Sequence, residues 1–79
     1  MIVDLRTLPT SAAVAVEAWR RAEYATGNHA HWRDEYVRIH ADCTDRAHQL
    51  ATDAIAAIRR GAQVIERPAN AGPREYAHV

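Results

Sequence analysis

Residues 29–60 read HAHWRDEYVRIHADCTDRAHQLATDAIAAIRR, and this stretch decides the fold class. It contains neither Pro nor Gly, and Gly61 follows at the position where many helices end. When successive residues are placed about 100° apart, the bulky apolar side chains fall on one side. The pattern therefore predicts one long amphipathic helix over residues 29–60, about 48 Å in length at 1.5 Å per residue.

The two faces of this predicted helix differ in chemistry. The apolar face carries Trp32, Tyr36, Ile39, Cys43, Ala47, Leu50, Ala54, Ala57 and Ile58. The opposite face carries a ladder of alternating acids and arginines at four-residue spacing, namely Asp34, Arg38, Asp42 and Arg46. Residues four apart are neighbours on a helix surface, so this ladder is typical of a solvated face. We expect the apolar face to be buried and the charged face to contact water.

A second, shorter helix is predicted over residues 11–26. Leu8-Pro9 prevents a helix from crossing that point, Thr10 or Ser11 can cap the first turn, and Gly27 can end the last one. Its apolar face is rich in Ala and wider than one packing partner needs. We therefore expect this helix to contact the long helix on one side and another element on the other.

The two predicted helices should form an antiparallel hairpin, because the connection Gly27-Asn28 is very short. The shorter helix is only about 24 Å long, half the length of its partner. This mismatch leaves the distal part of the long helix, residues 50–58, without a helix against it. The hairpin alone is thus expected to leave an apolar stripe uncovered. The N-terminal segment could run along part of this stripe, and a second copy of the chain could cover the rest.

The two ends of the chain lack helical periodicity. Residues 1–5 are predicted to be extended, and residues 62–66 form either a strand paired with them or a final helical turn. From residue 67 onward, two Pro and one Gly indicate an irregular segment. The predicted organisation is a helical hairpin domain over residues 1–66, with an irregular tail over residues 67–79.

The composition limits how large a core this chain can build. It has 79 residues, of which 17 are Ala and only 14 are Ile, Leu or Val. Because Ala buries little surface, burial contributes little against the conformational entropy lost on folding. The predicted fold class is therefore all-α, an antiparallel hairpin of a short and a long helix that self-associates into a small helical bundle.

The charged residues argue against several kinds of partner. Ten Arg balance ten Asp and Glu, and Lys is absent, so the net charge is zero. A neutral chain has no global field that attracts nucleic acid or an anionic membrane. The single Cys43 cannot form a disulfide within the chain, and no secretion signal or membrane span is visible. We expect a cytoplasmic protein, and the excess of Ala and Arg is typical of a GC-rich bacterium or phage.

His40 and Cys43 are the candidates for chemistry. They are three residues apart near one face of the long helix, so they could form half of a metal site or an activated thiol. A tetrahedral zinc site needs further ligands, which only a second copy could supply. The interpretation we favour is a hydrogen-bonded His beside a Cys that packs as a small apolar residue. No catalytic or phosphate-binding motif occurs, so the sequence predicts no enzyme and no cofactor.

Aromatic and large aliphatic side chains are the candidates for an interface. Trp and Tyr dominate the energetics of protein–protein contacts, although in a small chain they also form the core. Tyr24 lies on the polar side of the short helix and is expected to be exposed. The full predicted set is Trp19, Tyr24, Trp32, Tyr36, Leu50, Ile55 and Ile58.

Three hypotheses of function follow from these observations. The first is a non-enzymatic protein–protein interaction or regulatory module that acts as a homo-oligomer, as an adaptor or inhibitor of a bacterial or phage protein. The second is a metal- or thiol-dependent site at a dimer interface around His40 and Cys43. The third is a small nucleic-acid-binding regulator that uses the Arg20-Arg21 and Arg59-Arg60 doublets. The acidic residues interleaved with these arginines disfavour nucleic-acid binding.

Overall fold

The computed structural model of the chain describes residues 1–24 and 27–68, and most of this part is helical. Its elements in chain order are strand β1 (Ile2–Asp4), a 3₁₀ turn (Leu5–Thr7), helices α1 (Thr10–Tyr24), α2 (His29–Asp42) and α3 (Asp45–Arg59), and strand β2 (Gln63–Ile65). The predicted tail, residues 67–79, lies outside the described residues from residue 69 onward. The predicted helical class is confirmed, and a small strand pair is added to it.

The two short strands join the ends of the described chain. They pair in parallel with Val3 opposite Val64, and the N–H of Gln63 donates to the carbonyl oxygen of Met1 at 3.0 Å. Val3 is buried and Val64 packs against the core, so one face of the strand pair rests on the helices. Of the two alternatives for residues 62–66, the strand paired with the N-terminal segment is therefore the observed one.

Helix α1 lies at the centre of the fold. Its buried side chains are Ala12, Ala13, Ala15, Val16, Ala18, Trp19 and Ala22. It packs against α2 and also against α3, so its wide apolar face has two partners. Both lie within the predicted long helix, so the second partner is not the separate element that was expected. At its C-terminal end the Nδ1 of His29 lies 2.7 Å from the carbonyl oxygen of Ala22, so the first residue of α2 satisfies an orphan carbonyl of α1.

The predicted single helix over residues 29–60 is wrong, because the chain turns between α2 and α3. Cys43 and Thr44 both have extended backbone, with ψ of 148° and 161°. The Thr44 hydroxyl oxygen accepts from the N–H of Ala47 at 3.3 Å and so caps α3, and Asp45 places a negative charge in its first turn. The predicted hairpin of a short and a long helix is replaced by three helices of similar length.

The assignment of faces is right on both sides of this turn. The ladder of acids and arginines is exposed, and the apolar positions are buried or half-buried. Because the turn folds α3 back onto α1, Ala51, Ala54, Ile55 and Ala57 are buried within one chain. The expectation that α1 leaves residues 50–58 uncovered is therefore wrong, whereas the expected contact of the N-terminal segment with this part of the chain is observed between β1 and α3. The argument for self-association that rested on that stripe loses its basis.

Candidate interaction surface

Aromatic side chains gather where α1 ends and α2 begins. Trp19 is 3% exposed, whereas Tyr24 is 65% exposed, as the sequence predicted. The two rings meet edge to face, with centroids 5.9 Å apart and an angle of 90° between their planes. This geometry is favourable for aromatic pairs, so the buried indole of Trp19 stabilises the position of the exposed Tyr24 phenol.

Trp32, in the first turn of α2, belongs to the same end of the molecule. It is half-buried, and the guanidinium carbon of Arg21 lies 4.6 Å from the centroid of its ring. The imidazole of His31 meets the same indole edge to face, with centroids 4.9 Å apart. A cation within about 6 Å of an indole centroid is attracted by the negative face of the ring. Arg21 and Trp32 therefore hold each other in place across the two helices.

Arg59, the last residue of α3, completes this group. Its guanidinium carbon lies 5.5 Å from the centroid of the Trp19 ring, so the end of α3 reaches α1. It also acts on Tyr36: burial raises the pKa of the Tyr36 phenol above its ordinary value of 10.0, and the positive charge of Arg59 lowers it in part. The contacts form two groups, Trp19 with Tyr24 and Arg59, and Trp32 with Arg21. We call these five side chains, which come from three helices, the aromatic end: Trp19, Arg21, Tyr24, Trp32 and Arg59.

The arginines near this surface differ in their partners. Arg20 donates to Glu66 at 2.8 Å, and Arg67 makes two 2.8 Å hydrogen bonds to Glu17. Arg21 and Arg59 make no ion pair with any carboxylate in residues 1–24 and 27–68. Both side chains are exposed, so their charge is available at the surface of the aromatic end.

The other predicted interface residues lie elsewhere. Ile55 is buried in the core, and Leu50 and Ile58 are partly buried and pack against it. Tyr36 is half-buried and stacks on His40, with ring centroids 5.1 Å apart. The structure thus brings Trp19 and Tyr24 into contact, places Trp32 against Arg21, and packs the aliphatic members of the predicted set in or against the core.

His40 and Cys43 make separate contacts. The Nε2 of His40 lies 3.2 Å from the hydroxyl of Thr52 and 3.3 Å from the carbonyl oxygen of His48, while the Cys43 thiol donates to the carbonyl oxygen of Ile39. Within residues 1–24 and 27–68, no three His, Cys, Asp or Glu side chains are grouped so that they could hold a metal ion. His40 and Cys43 both lie next to the turn between α2 and α3, and their contacts stabilise its conformation.

Comparisons with known proteins add no constraint on function. No known protein family, curated protein or solved structure matches the chain. No helix of the described part is long and apolar enough to cross a membrane. The sequence indicated Arg21 and Arg59 only as members of arginine doublets that could bind nucleic acid, and it did not predict that each lies over a tryptophan ring. Arg21 and Trp32 are eleven residues apart on different helices, so no local spacing indicates their contact.

Proposed function

We propose that this chain is a small non-enzymatic protein–protein interaction module, an adaptor or inhibitor in the cytoplasm, whose contact surface is the aromatic end. The single observation that carries the proposal is the exposed Tyr24 held edge-on against the buried Trp19. Trp, Tyr and Arg are the residue types that dominate the binding energy of protein interfaces. The aromatic end consists of these three types alone.

The rigidity of this surface supports the proposal. Binding costs free energy when mobile side chains become ordered, about 0.5–1.5 kcal/mol for each rotamer-rich side chain. Tyr24 is already held by Trp19, and Arg21 by Trp32, across distances of 5.9 and 4.6 Å. A partner that contacts this end therefore meets side chains that are already restricted by one ring contact each.

A second copy of the chain is one partner that the proposal includes. The sequence motivated self-association by an apolar stripe on residues 50–58, and that stripe packs inside the chain. Self-association now depends on exposed residues, of which Tyr24 is one. Sedimentation equilibrium at micromolar concentration separates the two cases: a Tyr24-dependent dimer identifies the partner as a second copy, and a monomer identifies it as another protein.

The test compares two exposed apolar side chains in different places. Tyr24→Ala removes the phenol of the aromatic end, and Val37→Ala is the matched control because Val37 is 58% exposed in the middle of α2. Purified wild type and both variants are used to capture partners from cells that produce the protein, and the affinity for the captured partner is then measured. We expect Tyr24→Ala to weaken binding by about tenfold or more and Val37→Ala to leave it unchanged. Equal affinities for all three proteins would refute the proposed surface.

A further inference from the structure

Two arginines of the aromatic end have the same unusual environment. The guanidinium carbon of Arg21 lies 4.6 Å from the ring centroid of Trp32, and that of Arg59 lies 5.5 Å from the ring centroid of Trp19. Neither forms an ion pair with a carboxylate within residues 1–24 and 27–68, although Arg20 and Arg67 each have one. The chain thus pairs some of its arginines with carboxylates and places these two on indole rings.

An indole ring leaves most of the binding capacity of a guanidinium unused. The ring attracts the positive charge, but it accepts none of the five N–H hydrogen bonds that the guanidinium can donate. These donors lie in a rigid fork that matches a carboxylate with two parallel hydrogen bonds. Because the indole restricts the side chain, less conformational entropy remains to be lost when a carboxylate binds. Arg21 and Arg59 therefore have the properties of preorganised carboxylate receptors.

From this arrangement we propose that the partner of the aromatic end is an acidic protein segment whose carboxylates bind Arg21 and Arg59. This inference rests on the proposed function and adds the chemistry of the partner to it. The apolar parts of such a segment would contact Tyr24, which is exposed and touches Trp19, the ring over which Arg59 lies. The complementarity is local, because the chain as a whole carries no net charge.

The same local character favours carboxylates over a nucleic acid. A nucleic-acid backbone presents phosphates at regular spacing and is bound by a stripe of basic side chains. Here the neighbouring Arg20 is neutralised by Glu66, and the exposed Glu23 lies two residues from Arg21. The two guanidinium forks that lie on indole rings suit individual carboxylates of a protein segment, because each matches one carboxylate with two parallel hydrogen bonds.

The native tryptophans provide the readout for the test. The chain has only two, Trp19 and Trp32, and each lies under one of the two arginines, so their fluorescence should respond to binding. The intact protein is titrated with an octaglutamate peptide, an octaglutamine peptide and a single-stranded oligothymidylate of eight nucleotides. We expect a saturable, salt-sensitive change with octaglutamate and none with octaglutamine.

Variants assign this binding to the two guanidinium groups. Arg21→Gln and Arg59→Gln should each weaken octaglutamate binding on the order of tenfold, as should Arg21→Lys, which keeps the charge but loses the fork. Arg46→Gln is the matched control, because Arg46 is exposed in the first turn of α3, away from the aromatic end. Circular dichroism confirms that each variant is folded before it is titrated.

The outcomes separate this inference from the proposed function. Absence of octaglutamate binding, an equal effect of Arg46→Gln, or tighter binding of the oligothymidylate overturns the acidic segment as partner. If binding of a captured partner still depends on Tyr24 in that case, the interaction module stands and only its partner chemistry is wrong. If Tyr24→Ala has no effect while octaglutamate still binds through Arg21 and Arg59, the acidic site stands and the aromatic contact is wrong.

Discussion

The imidazole rings of His40 and His48 stack with their centroids 3.9 Å apart and their planes 8° from parallel. The Nδ1 of His48 lies 3.1 Å from the carbonyl oxygen of His40, which at the end of α2 also accepts from the N–H of Cys43 at 3.3 Å. Since a carbonyl can only accept, the Nδ1 of His48 carries the proton. The stacked pair therefore links the last turn of α2 to the first turn of α3. It stabilises the connection between these two helices, on which the fold depends.

Replacing His48 tests this link. We expect His48→Ala to lower the free energy of unfolding by about 1–2 kcal/mol, because the ring stack and the hydrogen bond to His40 are lost together. Urea denaturation followed by circular dichroism measures the change. Gln49→Ala is the control, since Gln49 is exposed and its side chain bonds only to the exposed Asp53 within the described residues. Equal losses for the two variants would show that the stack contributes nothing specific.

Thr44 is the second residue that holds the turn. Thr44→Ala removes the hydroxyl that accepts from the N–H of Ala47, and loss of such a cap costs about 1 kcal/mol. Thr44→Ser keeps the hydroxyl and should retain most of that stability. Thermal denaturation of the two variants, compared with wild type, checks the prediction. A Thr44→Ala protein as stable as wild type would contradict the assigned role of the cap.

Ile55 tests whether the distal apolar residues serve a core or an interface between copies. It is 6% exposed within one chain, so Ile55→Ala should lower the free energy of unfolding by about 2–5 kcal/mol through lost burial and a residual cavity. Val37→Ala should change it by less than about 0.5 kcal/mol, because Val37 is exposed. A free energy of unfolding that falls only when the protein is diluted would instead place Ile55 between two copies of the chain.

Asp4 and Arg6 provide a pH-dependent contact at the N-terminus. Hydrogen bonds from the Arg6 side chain lower the pKa of the Asp4 carboxyl below its ordinary value of 3.8. A lowered folded-state pKa stabilises the fold above the unfolded-state pKa, and this contribution is lost as the pH falls through the folded-state pKa. Arg6→Ala should raise the pKa of Asp4 toward 3.8, as an NMR titration of the carboxyl carbon would show. An unchanged pKa in that variant would rule out the side-chain contact as its cause.

Tyr36 should titrate at higher pH than a free tyrosine. Burial raises the pKa of its phenol above 10.0, and the nearby Arg59 charge opposes the shift. Arg59→Gln should therefore raise the pKa of Tyr36 further. The titration is followed by the ultraviolet absorbance of phenolate, and the step that disappears in Tyr36→Phe belongs to Tyr36. The raised pKa contributes stability that is fully present below the unfolded-state pKa and is lost as the pH rises through the folded-state pKa. A fall in the Tyr36 pKa on Arg59→Gln would contradict the assigned contact.

Part of the fold was predictable because it follows from local spacing. Helical periodicity identifies which face of each helix is apolar. The same assignment holds on both sides of the turn at Cys43 and Thr44, because the spacing of the apolar residues continues across the turn nearly unchanged. The turn itself was missed, although Thr44 followed by Asp45 is a helix-start signal in the middle of a strong periodic pattern. Because the apolar period continues unbroken over residues 29–60, the sequence favours one helix there over two helices separated by a turn.

The candidate surface was predictable only in part. The position of Tyr24 on the polar side of α1 predicts its exposure, because helix position alone decides it. The contacts of Arg21 with Trp32 and of Arg59 with Trp19 join different helices, so they depend on how those helices cross. The direction in which α3 leaves the turn at Thr44 decides whether Arg59 reaches Trp19 at all.

The sequence by itself determined that this protein is mostly helical and which side chains of each helix avoid water, because both follow from residue type and spacing along one element. Only the tertiary structure decided what covers the buried residues of α3: helix α1 and strand β1 of the same chain. The physical reason is that burial is a property of facing surfaces. Once the chain turns at Cys43 and Thr44, the nearest apolar surface belongs to its own first helix, at an effective concentration that a separate molecule does not match.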